Sequence, residues 1–135
     1  MEGTLNGHLF TSIAIGSIGI ILIDTLGSFL SRRYRFNYVK LAPLSWLVWI
    51  GAGISVTTVS SSWKGGLASG IVGFIDATIG NYIAFRINPY VGGEKSYREV
   101  MAKGGWISVV RVILWVSLLA FFLGLVASSV VSRLI

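Results

Sequence analysis

Residues 106–131 read WISVVRVILWVSLLAFFLGLVASSVV, an apolar run interrupted by a single charge, Arg111. A helix needs about 20 predominantly apolar residues to cross the hydrocarbon core of a bilayer. This run exceeds that length and contains no proline, so it is expected to span a membrane as one helix. Working outward from it, three further stretches qualify. Residues 9–31, LFTSIAIGSIGIILIDTLGSFLS, end against Arg32, Arg33 and Arg35. Residues 43–63 open on Pro43, a residue suited to a first helical turn, where its missing N–H costs nothing. Residues 67–85 end at Arg86, followed by Asn88-Pro89. Only Lys64, Gly65 and Gly66 separate the second and third stretches, which predicts a tight antiparallel hairpin there. The expected fold is all-α: an integral membrane four-helix bundle of two antiparallel transmembrane hairpins. It forms a single transmembrane domain over residues 1–135, with longer loops at 32–42 and 86–105.

Composition points the same way. The chain of 135 residues is 54% hydrophobic and only 12% charged, with a mean hydropathy of +0.80. Soluble domains are about a quarter charged, so too few polar groups exist here to cover a soluble globule. The formal net charge of +6 therefore does not point to nucleic acid. Cysteine is absent and histidine occurs once, at position 8, which removes disulfides, thiol chemistry and a His/Cys metal site. No nucleophile is paired with an acid–base set. Neither an enzyme nor a cofactor is expected. The first apolar run has no basic residue before it and is too long for a signal-peptide core, so it is expected to remain as an anchor.

Charge placement sets the expected orientation. Arg32, Arg33, Arg35 and Lys40 fill one loop; Arg86, Lys95, Arg98 and Lys103 fill the other; only Lys64 and Arg133 flank the opposite ends. Basic residues concentrate in cytoplasmic loops. Both longer loops are thus predicted cytoplasmic and both termini outside, in a cell membrane. Tyr34, Tyr38, Trp46, Tyr90, Tyr97 and Trp106 cluster near that same boundary, as interfacial aromatics do. The loop 88–104 carries turn signals at Asn88-Pro89 and Gly92-Gly93, and Glu94 to Lys103 is expected to lie on the membrane as a short helix. Its basic residues, like Arg32 to Lys40, would favour anionic lipid headgroups.

Two halves of the chain resemble each other. Ile23-Asp24 and Ile75-Asp76 lie 52 positions apart, as do Tyr38-Val39 and Tyr90-Val91; Thr25, Gly27 and Arg33 match Thr78, Gly80 and Arg86 at 53. A duplicated two-helix unit or a chance similarity with a one-residue slip would both give this pattern.

Gly66, Ser69, Gly70, Gly73, Ala77, Gly80 and Ala84 fall within one stripe of the third helix. Small residues let helix backbones approach closely in lipid. The stripe is expected either to pack inside the monomer or to join copies into a homo-oligomer. Asp24, Asp76 and Arg111 sit inside the spans, at depths that allow one shared layer. An ion pair between Arg111 and one Asp is expected, with Thr25, Thr78 and Asn81 satisfying the remaining hydrogen bonds. Such a network either fixes helix register or serves ion or proton passage. The alternative role is a non-catalytic accessory subunit of a larger membrane complex, its charges facing partner helices.

Overall fold

The four apolar stretches all form helices long and apolar enough to cross a membrane, over Asn6–Tyr34, Tyr38–Thr57, Ser62–Ile87 and Tyr97–Val131. The structure is a computed structural model that describes residues 2–92 and 95–135. Its elements are α1 (Glu2–Tyr34), α2 (Ala42–Thr57), α3 (Ser62–Ile75), α4 (Asn81–Ile87) and α5 (Tyr97–Val131). A 3-10 turn, Tyr38–Leu41, leads into α2, and a π-helical turn, Asp76–Gly80, links α3 to α4 in one rod. The described residues contain no strand; a lone bridge pairs Tyr90 with Ser96.

α1 begins at Glu2, ahead of the expected Leu9, and two further boundaries differ from expectation, each for a local reason. α2 ends at Thr57 and the hairpin turns at residues 58–61, ahead of Lys64. The hydroxyls there bond back to their own helix: Thr57 donates to the Gly53 carbonyl at 3.0 Å and Thr58 to that of Ser55 at 2.9 Å. Such bonds compete with the helical ladder. Ser61 is extended and acts as the N-cap of α3, so Lys64, Gly65 and Gly66 fall inside that helix rather than forming the turn.

α5 begins at Tyr97, well before the expected span, behind a capping box in which Ser96 and Glu99 bond reciprocally to each other's backbone N–H. Gly105 then breaks the helical path with φ 62 and ψ −174. Glycine takes a positive φ without the strain a side chain would bring. The kink divides a short helix from the one that follows, which agrees with the expectation of a short helix before the fourth span. Glu94 and Gly93 of that loop lie outside the described residues.

Small residues decide how the helices pack. Ile20, Trp49, Ala52, Val72 and Ala120 form the core. A methyl group on Gly70 would stand 3.2 Å from Phe121 Cβ, one on Gly66 3.1 Å from Leu125 Cβ, and one on Gly73 would overlap Ala120. Gly66, Gly70 and Gly73 therefore seat α3 directly on α5. Ala77 and Gly80 continue the buried stripe toward α1. Of the two uses expected of the stripe, packing within the chain is the one seen: α5 and α1 occupy it. On the other side of α5, Trp115, Leu118, Phe122 and Val126 are exposed, as lipid-facing residues of a spanning helix are.

Candidate functional site

Asp24 lies two turns before the basic end of α1, roughly 12 Å from Arg32 along the helix. Asp76 opens the π turn of the third span. Both carboxylates converge on Gly80. A methyl group there would stand 3.0 Å from Asp76 Oδ1 and would overlap Asp24 Oδ2. Glycine is required at this position because two acidic side chains fill the space of a Cβ.

Each carboxylate has one aromatic donor. Tyr38 Oη donates to Asp24 Oδ1 at 2.5 Å, and Trp49 Nε1 donates to Asp76 Oδ2 at 3.0 Å. Asp24 is only 3% exposed. Its second oxygen, Oδ2, is buried without a hydrogen-bond partner, as is the Ser28 hydroxyl one turn further along α1. The two acids line a cavity of about 340 Å³ together with Tyr38, Ser45, Trp49, Asn81 and Tyr97. Asn81 donates to the Ala77 carbonyl and accepts from Tyr97 Oη, tying the start of α4 to the start of α5.

Of the expected network, Asp24, Asp76 and Asn81 meet, while Arg111, Thr25 and Thr78 stand apart. Arg111 is exposed on the outer side of α5, and no ion pair occurs among the described residues. The helical phase explains this. Arg111 precedes the buried Ala120 by nine positions, which at about 100° per residue is half a turn away. The expected Arg111–Asp pair is thus not formed. Thr25 is exposed, and Thr78 spends its hydroxyl on the Phe74 and Ile75 carbonyls at 2.8 and 3.3 Å.

The residues missing from that expectation are Tyr38, Ser45, Trp49 and Tyr97. Their position near the span boundary marks Tyr38 and Tyr97 as interfacial aromatics, not as partners of the acids. The repeated Tyr-Val pair was the available signal for Tyr38: its backbone N–H donates to the Tyr90 carbonyl at 2.7 Å. Two pairs of positions 52 apart, Asp24/Asp76 and Tyr38/Tyr90, therefore approach each other in space.

The change of offset from 52 to 53 falls between Asp76 and Thr78, inside the π turn Asp76–Gly80. A π turn places one more residue in a helical turn than the α-helix does, and such turns concentrate at functional sites. The step from 52 to 53 thus coincides with the π turn, and the offset returns to 52 between Arg86 and Tyr90.

Basic residues gather at the end of the bundle next to the cavity. Arg32 Nη1 donates to the Ile87 carbonyl at 2.9 Å, and Arg98 donates to those of Phe85 and Arg86 at 2.7 and 2.9 Å. These contacts satisfy the unpaired carbonyls at the C-terminus of α4. Arg33, Arg35 and Lys40 are exposed. None of them reaches the carboxylates.

The described residues hold no group of three or more His, Cys, Asp or Glu side chains able to bind a metal. Chemically, the cavity is short of positive charge. Two carboxylates share two neutral donors and no basic side chain, and an uncompensated buried charge costs several kcal/mol. Such a site is balanced by a cation or a proton from outside the chain. No protein family, curated protein or solved structure matches the chain.

Proposed function

We propose that this chain is a small multi-pass transport protein of the cell membrane, in which Asp24 and Asp76 bind a cation, protons included, during passage across the bilayer. The observation that carries this reading is the convergence of both carboxylates on Gly80 with no basic partner. Buried acids kept for architecture alone are paired with a basic group or fully hydrogen-bonded, and Asp24 Oδ2 is neither. Intramembrane ionisable residues of this kind mark ion and proton pathways.

The proposed orientation follows the basic loops, with the cavity near the cytoplasmic face and both termini outside. A duplicated two-helix unit related by an axis along the membrane normal accounts for the paired Asp24/Asp76 and Tyr38/Tyr90 positions. Proteoliposomes loaded with a pH-sensitive dye test the reading. Wild-type protein is expected to pass protons or exchange them for a cation, and Asp24→Asn or Asp76→Asn to abolish the flux while the protein still elutes as a folded species. Silence of the wild type toward protons and monovalent cations would overturn it.

One observation favours a second reading. Arg111 lies about 9 Å beyond the Gly105 kink and faces outward, where a charge is costly unless it reaches the interface or meets an acid. An accessory subunit whose partner helix supplies that acid would use this surface. Co-purification with a larger membrane protein in fixed ratio, lost on Arg111→Leu, would support it.

A further inference from the structure

The cavity's mouth and lining narrow the class of cation. Its most exposed lining residues are Val39, Trp46, Val112 and Leu119. They come from the turn before α2, from α2 itself and from α5, so the mouth opens sideways between α2 and α5. Every residue of that rim is apolar or aromatic. Arg32, Arg98 and the other loop charges stand outside it. A hydrated inorganic ion gains nothing from such a mouth, and a volume of about 340 Å³ is far larger than one ion. That size is in the range of small-molecule pockets.

The floor has the opposite character. Asp24 and Asp76 share the lining with the aromatic side chains of Tyr38, Trp46, Trp49 and Tyr97. Aromatic faces attract cations that are poorly hydrated, quaternary ammonium groups above all. Asp24 Oδ2 is buried against Gly80 without a hydrogen-bond donor, so the acid pair at the cavity is short of positive charge. Trp49 holds Asp76 through its indole N–H, which donates to Oδ2.

We infer that the cavity binds a monovalent lipophilic organic cation, taken up laterally from the bilayer, with its charged centre beside the Asp24–Asp76 pair and its apolar groups against Trp46 and Tyr38. This inference rests on the transport reading for its purpose, though not for its binding step. The charge balance is simple: one cation neutralises one of the two carboxylates, and the ligand forms no covalent bond.

The test uses the 135-residue chain in dodecyl maltoside and benzyltrimethylammonium as probe, measured by isothermal titration calorimetry. Neopentylbenzene, which has the same shape without the charge, is the control. The cation is expected to bind and the neutral isostere not. Asp76→Asn is expected to weaken binding on the order of tenfold or more. Trp46→Leu, a change at an exposed rim position, is expected to weaken it about threefold. Should Asp76→Asn fail to fold, Trp46→Leu decides, since it alters no buried group.

Equal binding of both probes, binding of neither, or undiminished affinity in Trp46→Leu would overturn the inference. Flux separates the two proposals. A protein that passes protons yet ignores benzyltrimethylammonium removes the organic-cation site and keeps the transport reading. One that binds the cation but carries no flux keeps the site and removes transport.

Discussion

Gly80→Ala tests the geometry on which the site depends, and its sign should reverse in one chosen background. The added methyl would overlap Asp24 Oδ2 and stand 3.0 Å from Asp76 Oδ1. In a helix, Ala is favoured over Gly by up to about 1 kcal/mol. Forcing an extra carbon into a filled site costs about 1–3 kcal/mol. Here the atoms to be moved are a buried carboxylate held by Tyr38, so the upper part of that range applies. Subtracting the helical gain leaves a net destabilisation of about 1–2 kcal/mol for Gly80→Ala alone.

Asp24→Ala removes the overlapping oxygen. In that background the methyl no longer overlaps a carboxylate and stands 3.0 Å from Asp76 Oδ1. The change should then be neutral or stabilising, by up to about 1 kcal/mol. The assay is equilibrium unfolding in mixed dodecyl maltoside–SDS micelles, followed by tryptophan fluorescence. The four proteins form a double-mutant cycle, and the expected interaction energy is about 2 kcal/mol. Gly51 supplies the control, since a methyl there meets nothing within 4 Å; Gly51→Ala should be neutral or mildly stabilising in both backgrounds. If Gly80→Ala has the same sign and size with and without Asp24, the two carboxylates do not converge on this glycine, and the site as described is wrong.

Three further outcomes are expected. Arg111→Leu should leave stability unchanged or raise it by up to about 1 kcal/mol, because it removes an outward charge near the interface and breaks no ion pair; a loss of about 3 kcal/mol in the same unfolding assay would indicate a buried partner. Tyr38→Phe should cost about 2 kcal/mol, since it strips Asp24 of its one donor; stability equal to wild type would place the Tyr38 hydroxyl elsewhere. Affinity for benzyltrimethylammonium should fall on acidification, because protonation removes the carboxylate charge that attracts the cation. The titratable side chains lining the cavity among the described residues are Asp24, Asp76, Tyr38 and Tyr97. Affinity that rises on acidification would remove the acids from the binding site.

The spans were legible because a bilayer demands one plain thing, a long apolar helix, and the sequence supplies it in four places. Their ends were less so. Thr57, Thr58, Ser60 and Ser61 carry no strong stop signal, yet hydroxyls bonding back to the helix end α2 there, while Gly65-Gly66 looked like a turn and is a close helix contact. The error over Arg111 has a different source. Opposite charges at similar depth suggested a pair, but depth is one coordinate and helical phase is another. Ala120 and Gly124, which fix the inward side of α5, stood opposite Arg111 in the sequence all along.

Tyr38 and Trp49 were not legible as carboxylate donors for a further reason. Aromatics near a span boundary satisfy an interface equally well, and only the folded chain shows which of them turn inward. The repeat holds the most information per residue. Its shift from 52 to 53 falls inside the π turn Asp76–Gly80, where one more residue is fitted into a helical turn, and the offset is back at 52 by Tyr38/Tyr90. The pairs that keep the 52 offset, Asp24/Asp76 and Tyr38/Tyr90, are the ones that approach each other in the fold, and the extra residue is confined to the stretch between them.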